Sequence, residues 1–160
     1  VVPKIKKLSL SALKLRQHPT LTTVVSDDRF TQKKLPDIQF FSIEQLQCLL
    51  DSSPIPVLKS KEEGEYIALA IIPLIKILLS HNAAFKLIAS LIIYDEAEPI
   101  ISTLALIKPA LLTPEFRSLP QKLHGRHNKA KSLNLAVPNQ KQLSHLAQVS
   151  RSSIRGVKRT

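Results

Sequence analysis

The chain has no methionine, no tryptophan, one cysteine and three glycines in 160 residues. Each scarcity removes a class of explanation. A single cysteine, Cys48, excludes an internal disulfide framework and suits a reducing compartment. Its place in the apolar string "SIEQLQCLLDSS" predicts a buried structural thiol. So few glycines leave neither G-x-G-x-x-G nor G-x-x-x-x-G-K-[ST], and the common phosphate-cradling loops are absent. With five Phe and two Tyr, the core must be aliphatic. The lack of methionine, an initiator included, suggests a fragment or a chain missing its start, and leaves an upstream targeting peptide open. Long apolar runs are missing too. The stretch from Ile67 to Ile75 is nine residues long, contains Pro73 and ends at Lys76, whereas a membrane-spanning helix needs about 20 apolar residues. A core strand followed by a core helix is expected there, and no membrane partner.

What the sequence does have is positive charge, unevenly spread. The net charge is +11; residues 1–34 carry +6, residues 35–107 carry −5, and residues 108–160 carry +10. A mildly acidic apolar centre between two basic arms is the electrostatic footprint of a polyanion binder. Only Phe30 and Phe116 are available in those arms as stacking platforms for unpaired bases. Duplex DNA, held through its phosphates, is therefore the expected partner rather than a single strand.

Local patterns predict an α+β fold. Alternation of Ile5, Leu8 and Leu10 marks a first strand, followed by a short helix ending before Pro19 and a polar connection from Thr22 to Asp37. "SIEQLQCLLDSS" reads as a helix with Ser42 at its N-cap and Gln45 at the capping-box position. Ile55–Lys59 and Glu65–Ala70 form a hairpin around "SKEEG". Pro73 starts a helix running to about Ser80, "FKLIASLIIY" is a buried strand, and "DEAEPIISTLALI" is a helix with acids at its start. Pro109 and Pro114 are expected to end that region. The organisation expected is an α+β domain over 1–107, a basic connector over 108–138 with a short helix interrupted at Gly125, and a helical segment over 139–160.

The last segment carries "QLSHLAQVSRSSIR". Pro138 and Asn139 open a helix, Leu143, Leu146 and Ala147 face inward, and Ser144 is the small residue at a close-packing position. Gln148 and Val149 make a turn, with Gln148 left-handed where glycine is usual. Ser150 N-caps a second helix and Ile154 anchors it. That arrangement turns Arg151, Ser152 and Arg155 outward, with Lys158 and Arg159 behind them, where arginine can grip guanine or phosphate. Arg126, Lys129 and Lys131 belong to "RSLPQKLHGRHNKAKSLN", expected to lie along the DNA backbone as an adaptable arm whose cations contact phosphates. The stretch resembles the helix-turn-helix of the lac-repressor family and of many ParB-type proteins, which show a similar "LA…VS…I" run. An ordinary amphipathic helix packed on the domain is the competing reading.

The order of features over 1–107 also resembles the N-terminal domain of the ParB/sulfiredoxin-like superfamily. "IKKLSLSALKLRQHP" resembles its opening strand and loop, "SIEQLQCLLDSSPIPVLKSKEEGEYIALA" its helix, proline-led strand and hairpin, and "LIASLIIYDEAEPIISTLALI" its later strand and acid-started helix. The phosphate-binding motifs of that family are missing. Ala70-Ile71-Ile72-Pro73 stands where G-x-R-R belongs, and no Glu, Asn or Arg occupies the E-N-x-x-R positions near Ile107-Lys108-Pro109. The resemblance thus implies the fold without nucleotide binding or hydrolysis.

Other constellations have simpler readings. His124 and His127 stand three apart, as two metal ligands can, but no second cysteine or nearby carboxylate joins them. Phosphate contact or solvation is the better account. His145 is expected at the surface. Glu62, Glu63 and Glu65 belong to a solvated turn, and Asp95, Glu96 and Glu98 to a helix start. The expected protein is therefore a non-enzymatic, cofactor-free, ParB-like duplex-DNA binder. Its expected setting is cytoplasmic and nucleoid-associated, acting as a homodimer in partition, transcription regulation or mobile-element maintenance. Its α+β core is expected to serve as scaffold or protein-partner surface. The alternative is a protein–protein assembly module, its basic terminal helix docked on an acidic partner and its core a relic without ligand.

Overall fold

In the computed structural model the described residues are 2–28, 34–149 and 154. They divide into two compact units, Val1–Pro109 and Ala110–Thr160. The fold is α+β, with a five-stranded mixed sheet and C-terminal helices.

The sheet of the first unit is built from β1 (Lys4–Ser9), β2 (Lys14–Gln17), β3 (Ile55–Lys59), β4 (Glu65–Ala68) and β5 (Ile88–Ile93), in the order β1-β5-β3-β4-β2. β3 and β4 form the expected hairpin, antiparallel with Val57 opposite Ala68. Gly64 takes φ 79 in the turn, a backbone that a side chain disfavours. β3 and β5 run parallel, with Ile55 paired to Leu91 and Val57 to Ile93. Alternate residues Ile55, Val57, Ala89 and Leu91 are fully enclosed. Each large aliphatic side chain so buried stabilises the sheet by about 1.5–3 kcal/mol.

The helices of this unit start from local signals. α2 (Ile43–Asp51) begins in a complete capping box: the Gln45 N–H donates to Ser42 Oγ at 3.1 Å, and the Ser42 N–H donates to Gln45 Oε1 at 2.9 Å. Its Leu46 and Leu50, four apart, are buried, while Cys48, two positions round the helix, is exposed. The apolar string around Cys48 pointed inward, but helical geometry turns the thiol away from the Leu46/Leu50 face. The Gln47 side chain ties α2 to β5 by bonding both the N–H and the carbonyl of Ile88. α3 (Pro73–Leu79) starts at its proline.

Residues 14–24 differ from the expected helix. β2 forms a parallel pair with β4, Leu15 opposite Tyr66, and α1 (Pro19–Val24) begins where the helix was expected to stop. Proline disfavours helical backbone in the residue before it, so His18 is extended. Its ring Nδ1 then accepts the Thr20 N–H at 3.1 Å as an N-cap. α1 and α4 (Glu98–Ser102) meet around Leu21, Leu69 and Ile101.

The prolines at 109 and 114 do not end the next element either. After α4 the backbone widens into one π turn over Thr103–Ile107 and continues as α5 (Lys108–Arg117). Pro109 lacks an N–H and its ring would press on the carbonyl four residues back. The wider turn, in which the Lys108 N–H reaches Thr103, opens the ladder at that point. Pro114 sits inside α5, on an exposed stretch where water can reach the carbonyl it leaves unpaired.

The second unit holds α6 (Leu119–Ser132) and α7 (Gln140–Ala147). α6 passes through Gly125 without the expected interruption. A lone glycine weakens a helix by about 1 kcal/mol relative to alanine, which the rest of a fourteen-residue helix can outweigh.

Candidate nucleic-acid interface

Both ends of the α6–α7 connection are set by local chemistry. α6 closes with Asn134 at φ 58; the Leu135 N–H reaches the Ala130 carbonyl at 3.0 Å and the Asn134 N–H that of Lys131 at 3.0 Å. That bond pair is a Schellman closure, and asparagine is among the few residues tolerant of its left-handed position. α7 opens with a capping box, in which the Gln142 N–H donates to Asn139 Oδ1 at 2.8 Å and Asn139 N–H to Gln142 Oε1 at 2.9 Å.

α7 ends as the sequence pattern requires. Gln148 is left-handed, φ 54 and ψ 40. The Val149 N–H donates to the Ser144 carbonyl at 3.1 Å and the Gln148 N–H to that of His145 at 3.1 Å, a second Schellman closure that turns the chain sharply. Ser144 is 4% exposed and its hydroxyl donates to the Lys141 carbonyl at 2.9 Å. A small residue with an internally satisfied hydroxyl allows close approach without an unpaired polar group. Leu143 and Leu146 are half-buried, but Ala147 is exposed; so close to the left-handed turn it covers nothing. Ile154 is 1% exposed, buried as an anchor beyond the turn should be. Ser150, Arg151, Ser152, Arg155, Lys158 and Arg159 lie outside the described residues.

α6 carries the remaining predicted cations on two of its sides. Lys122, Arg126 and Lys129 follow i, i+4, i+7 spacing along one stripe, and Arg126 and Lys129 are exposed. Lys131 belongs to a different stripe, with His124, His127 and Asn128, which lines a cavity of about 260 Å³ between α6 and the start of α7. The structure therefore does not gather Arg126, Lys129 and Lys131 on one face. Glu115, the lone acid of residues 108–160, pairs with Lys122 at 3.1 Å. Among the described residues no carboxylate forms an ion pair with Arg126, Lys129 or Lys131.

The histidines have a role that spacing alone did not assign. His127 Nε2 lies 2.7 Å from the Pro138 carbonyl; since a carbonyl only accepts, Nε2 carries the proton. His124 Nε2 lies 3.1 Å from the Asn128 amide nitrogen, which donates to it. The i, i+3 spacing was the signal; the partner across the connection was invisible without the fold. His145 is exposed. Among the described residues no group of three His, Cys, Asp or Glu side chains is placed to hold a metal.

A second cavity, of about 200 Å³, lies in the first unit. Among the described residues Leu21, Val25, Ala70, Ile71, Leu104 and Ala105 line it, with Asp28 as the polar member. A carboxylate and aliphatic side chains, Ala70 and Ile71 among them, offer a phosphate no cationic partner there.

No helix among the described residues is long and apolar enough to cross a membrane. No family model matches the sequence, and no curated protein does. Among solved structures the chain is similar to the C-terminally truncated chromosome-partitioning protein ParB from Caulobacter crescentus, complexed with CTP-gamma-S. The TM-score is 0.47 at 14% identity, over 94% of this chain and 74% of that one.

Proposed function

We propose that this chain is a non-enzymatic, ParB-like DNA-binding protein that holds duplex DNA through its basic C-terminal helices. The observation that carries the reading is the Ser144–Gln148 geometry: a small buried residue, then a left-handed closure, then a buried Ile154, inside a segment of charge +10. Helix-turn-helix units need that close packing and tight turn to aim a second helix at the major groove. In this reading Arg151, Ser152 and Arg155 reach base edges, Ser150 caps their helix, and Lys158, Arg159, Arg126, Lys129 and Lys131 hold phosphates. The protein acts as a homodimer on two half-sites, associated with the nucleoid in the cytoplasm, in partition, transcription regulation or maintenance of a mobile element. The described lining of the first-unit cavity, aliphatic with Asp28 and without a cationic side chain, favours a core that works without nucleotide.

The test is fluorescence anisotropy with labelled duplex, matched single strand and genomic fragments between about 50 and 200 mM salt. A steep loss of affinity with salt, preference for duplex, and some fragments retained at high salt are the expected results. No duplex binding at low salt would remove the reading.

A second reading has its own observation. In the first unit Phe85 is 65% exposed, Leu79 47% and Ile88 43%, apolar side chains that a protein partner would cover. An assembly module would use that surface for a protein partner and dock the basic terminal helix on an acidic one. A stable protein complex with weak, sequence-indifferent DNA binding is its signature.

A further inference from the structure

The polar lining of the α6–α7 cavity is of one electrostatic kind. His124, His127 and Lys131 supply three basic side chains from successive turns of α6, and Asn128 adds an amide. Opposite stand Asn139 and Gln140 at the start of α7, the end of a helix that favours negative charge. No carboxylate is among the described lining residues.

The hydrogen bonds already formed decide between a cation and an anion. His127 commits its Nε2–H to the Pro138 carbonyl at 2.7 Å, so that nitrogen has no lone pair for a metal. His124 Nε2 is occupied by the Asn128 amide at 3.1 Å, which leaves the neutral ring with its proton on Nδ1, a donor. Lys131 adds ammonium donors that meet no carboxylate among the described residues. The His124 Nδ1–H and the Lys131 ammonium are donors that meet no acceptor among the described residues of the cleft. No carboxylate among the described lining residues serves a cation, and the set complements phosphate oxygens.

We infer that this cleft binds a single phosphate group, and that its source is a backbone phosphate of bound duplex. The phosphate chemistry stands on the cleft alone; the source rests on the function proposed above. In that arrangement Lys131 and His124 hold the phosphate. His127 fixes the wall of the cleft through its bond to the Pro138 carbonyl, and Arg126 and Lys129 on the other stripe contribute charge without a socket.

The experiment follows the histidine ring signals of the full chain by NMR at constant pH, titrated separately with inorganic phosphate and with a short duplex. The His124 and His127 rings are expected to shift together and saturate in both arms, while the exposed His145 does not follow the same curve with phosphate. Lys131→Gln should weaken phosphate about tenfold, as loss of a charge-assisted bond does. Asn128→Asp places a carboxylate of the same shape on an exposed helical position and should abolish saturation with the helix content unchanged by circular dichroism. Linear, unsaturating shifts of all histidines alike, or saturation that survives Asn128→Asp, would overturn the inference. Duplex that binds by anisotropy while both rings stay silent overturns the cleft and leaves the proposed function standing. Saturation by inorganic phosphate in a chain that binds no duplex keeps the phosphate site and removes the backbone source.

Discussion

His127 on α6 donates its Nε2–H across 2.7 Å to the carbonyl of Pro138, the residue just before the Asn139 cap of α7. One side chain thus holds the entry of the helix that ends at the Gln148 turn. A half-buried imidazole bonded to this carbonyl satisfies an acceptor that stands before the Asn139 cap and so outside the ladder of α7. His127→Ala should cost about 1 kcal/mol, the net worth of an ordinary internal hydrogen bond. Local opening reports this better than global unfolding in a chain of two units. Amide exchange of Leu143 and Ser144 should quicken about fivefold, with rates in β3 and β5 unchanged.

Gly125 lies within α6, and a Cβ placed there meets nothing within 4 Å. Alanine restores helix propensity without a clash, so Gly125→Ala should stabilise α6 by about 0.5–1 kcal/mol. Slower amide exchange along Lys122–Lys129 is the readout. Destabilisation would mean that the glycine gives room to a neighbour outside the described residues.

Gln148 holds a left-handed backbone at φ 54, which costs a residue with a Cβ roughly 1 kcal/mol or more. Gln148→Gly should relieve this strain, offset in part by the added freedom of the unfolded chain. The net expectation is a gain of about 0.5 kcal/mol in thermal unfolding of the C-terminal helices. Gln148→Val, β-branched at the same φ, should lose stability in the same assay.

Ser144 tests the close packing. Ser144→Ala keeps the volume and loses a hydroxyl bonded only within its own helix, so its effect should stay within about 1 kcal/mol. Ser144→Leu forces a large side chain into a site 4% exposed and should cost about 1–3 kcal/mol. Equal tolerance of both by circular-dichroism melts would show that α7 packs on nothing at that point.

Arg151 and Arg155 carry the base-reading part of the proposal. Replacing both by alanine should cost duplex binding at least about 1 kcal/mol and flatten the preference among fragments, since one bidentate contact is worth about 1–3 kcal/mol. Arg126→Ala or Lys129→Ala should weaken every duplex alike and lower the salt slope by about 0.9 for each phosphate left without its cation. A smaller loss for the double variant would sink the reading helix.

What could be read from the residues alone is what adjacent residues decide among themselves. The Ser42/Gln45 capping box, the proline start at 73, the "SKEEG" hairpin and the Asn139 opening of α7 all depend on groups a few positions apart. The charge partition is likewise a property of composition. The left-handed turn at Gln148 was legible because its spacing between Ser144 and Ile154 is short and periodic.

Interactions between distant segments decided the rest. Residues 14–17 became a strand because β4, some fifty positions later, offered a free parallel edge, and no local pattern encodes that ladder. The helix ran through Pro109 because a π turn absorbed the missing bond, and Cys48 faced out because the core lay on the Leu46/Leu50 side of α2. The α6–α7 cleft brings together residues eleven positions apart, His127 and Pro138, whose bond no local pattern announces. Propensity acts over one or two turns of chain, whereas burial and pairing are settled by whatever surface folding brings alongside.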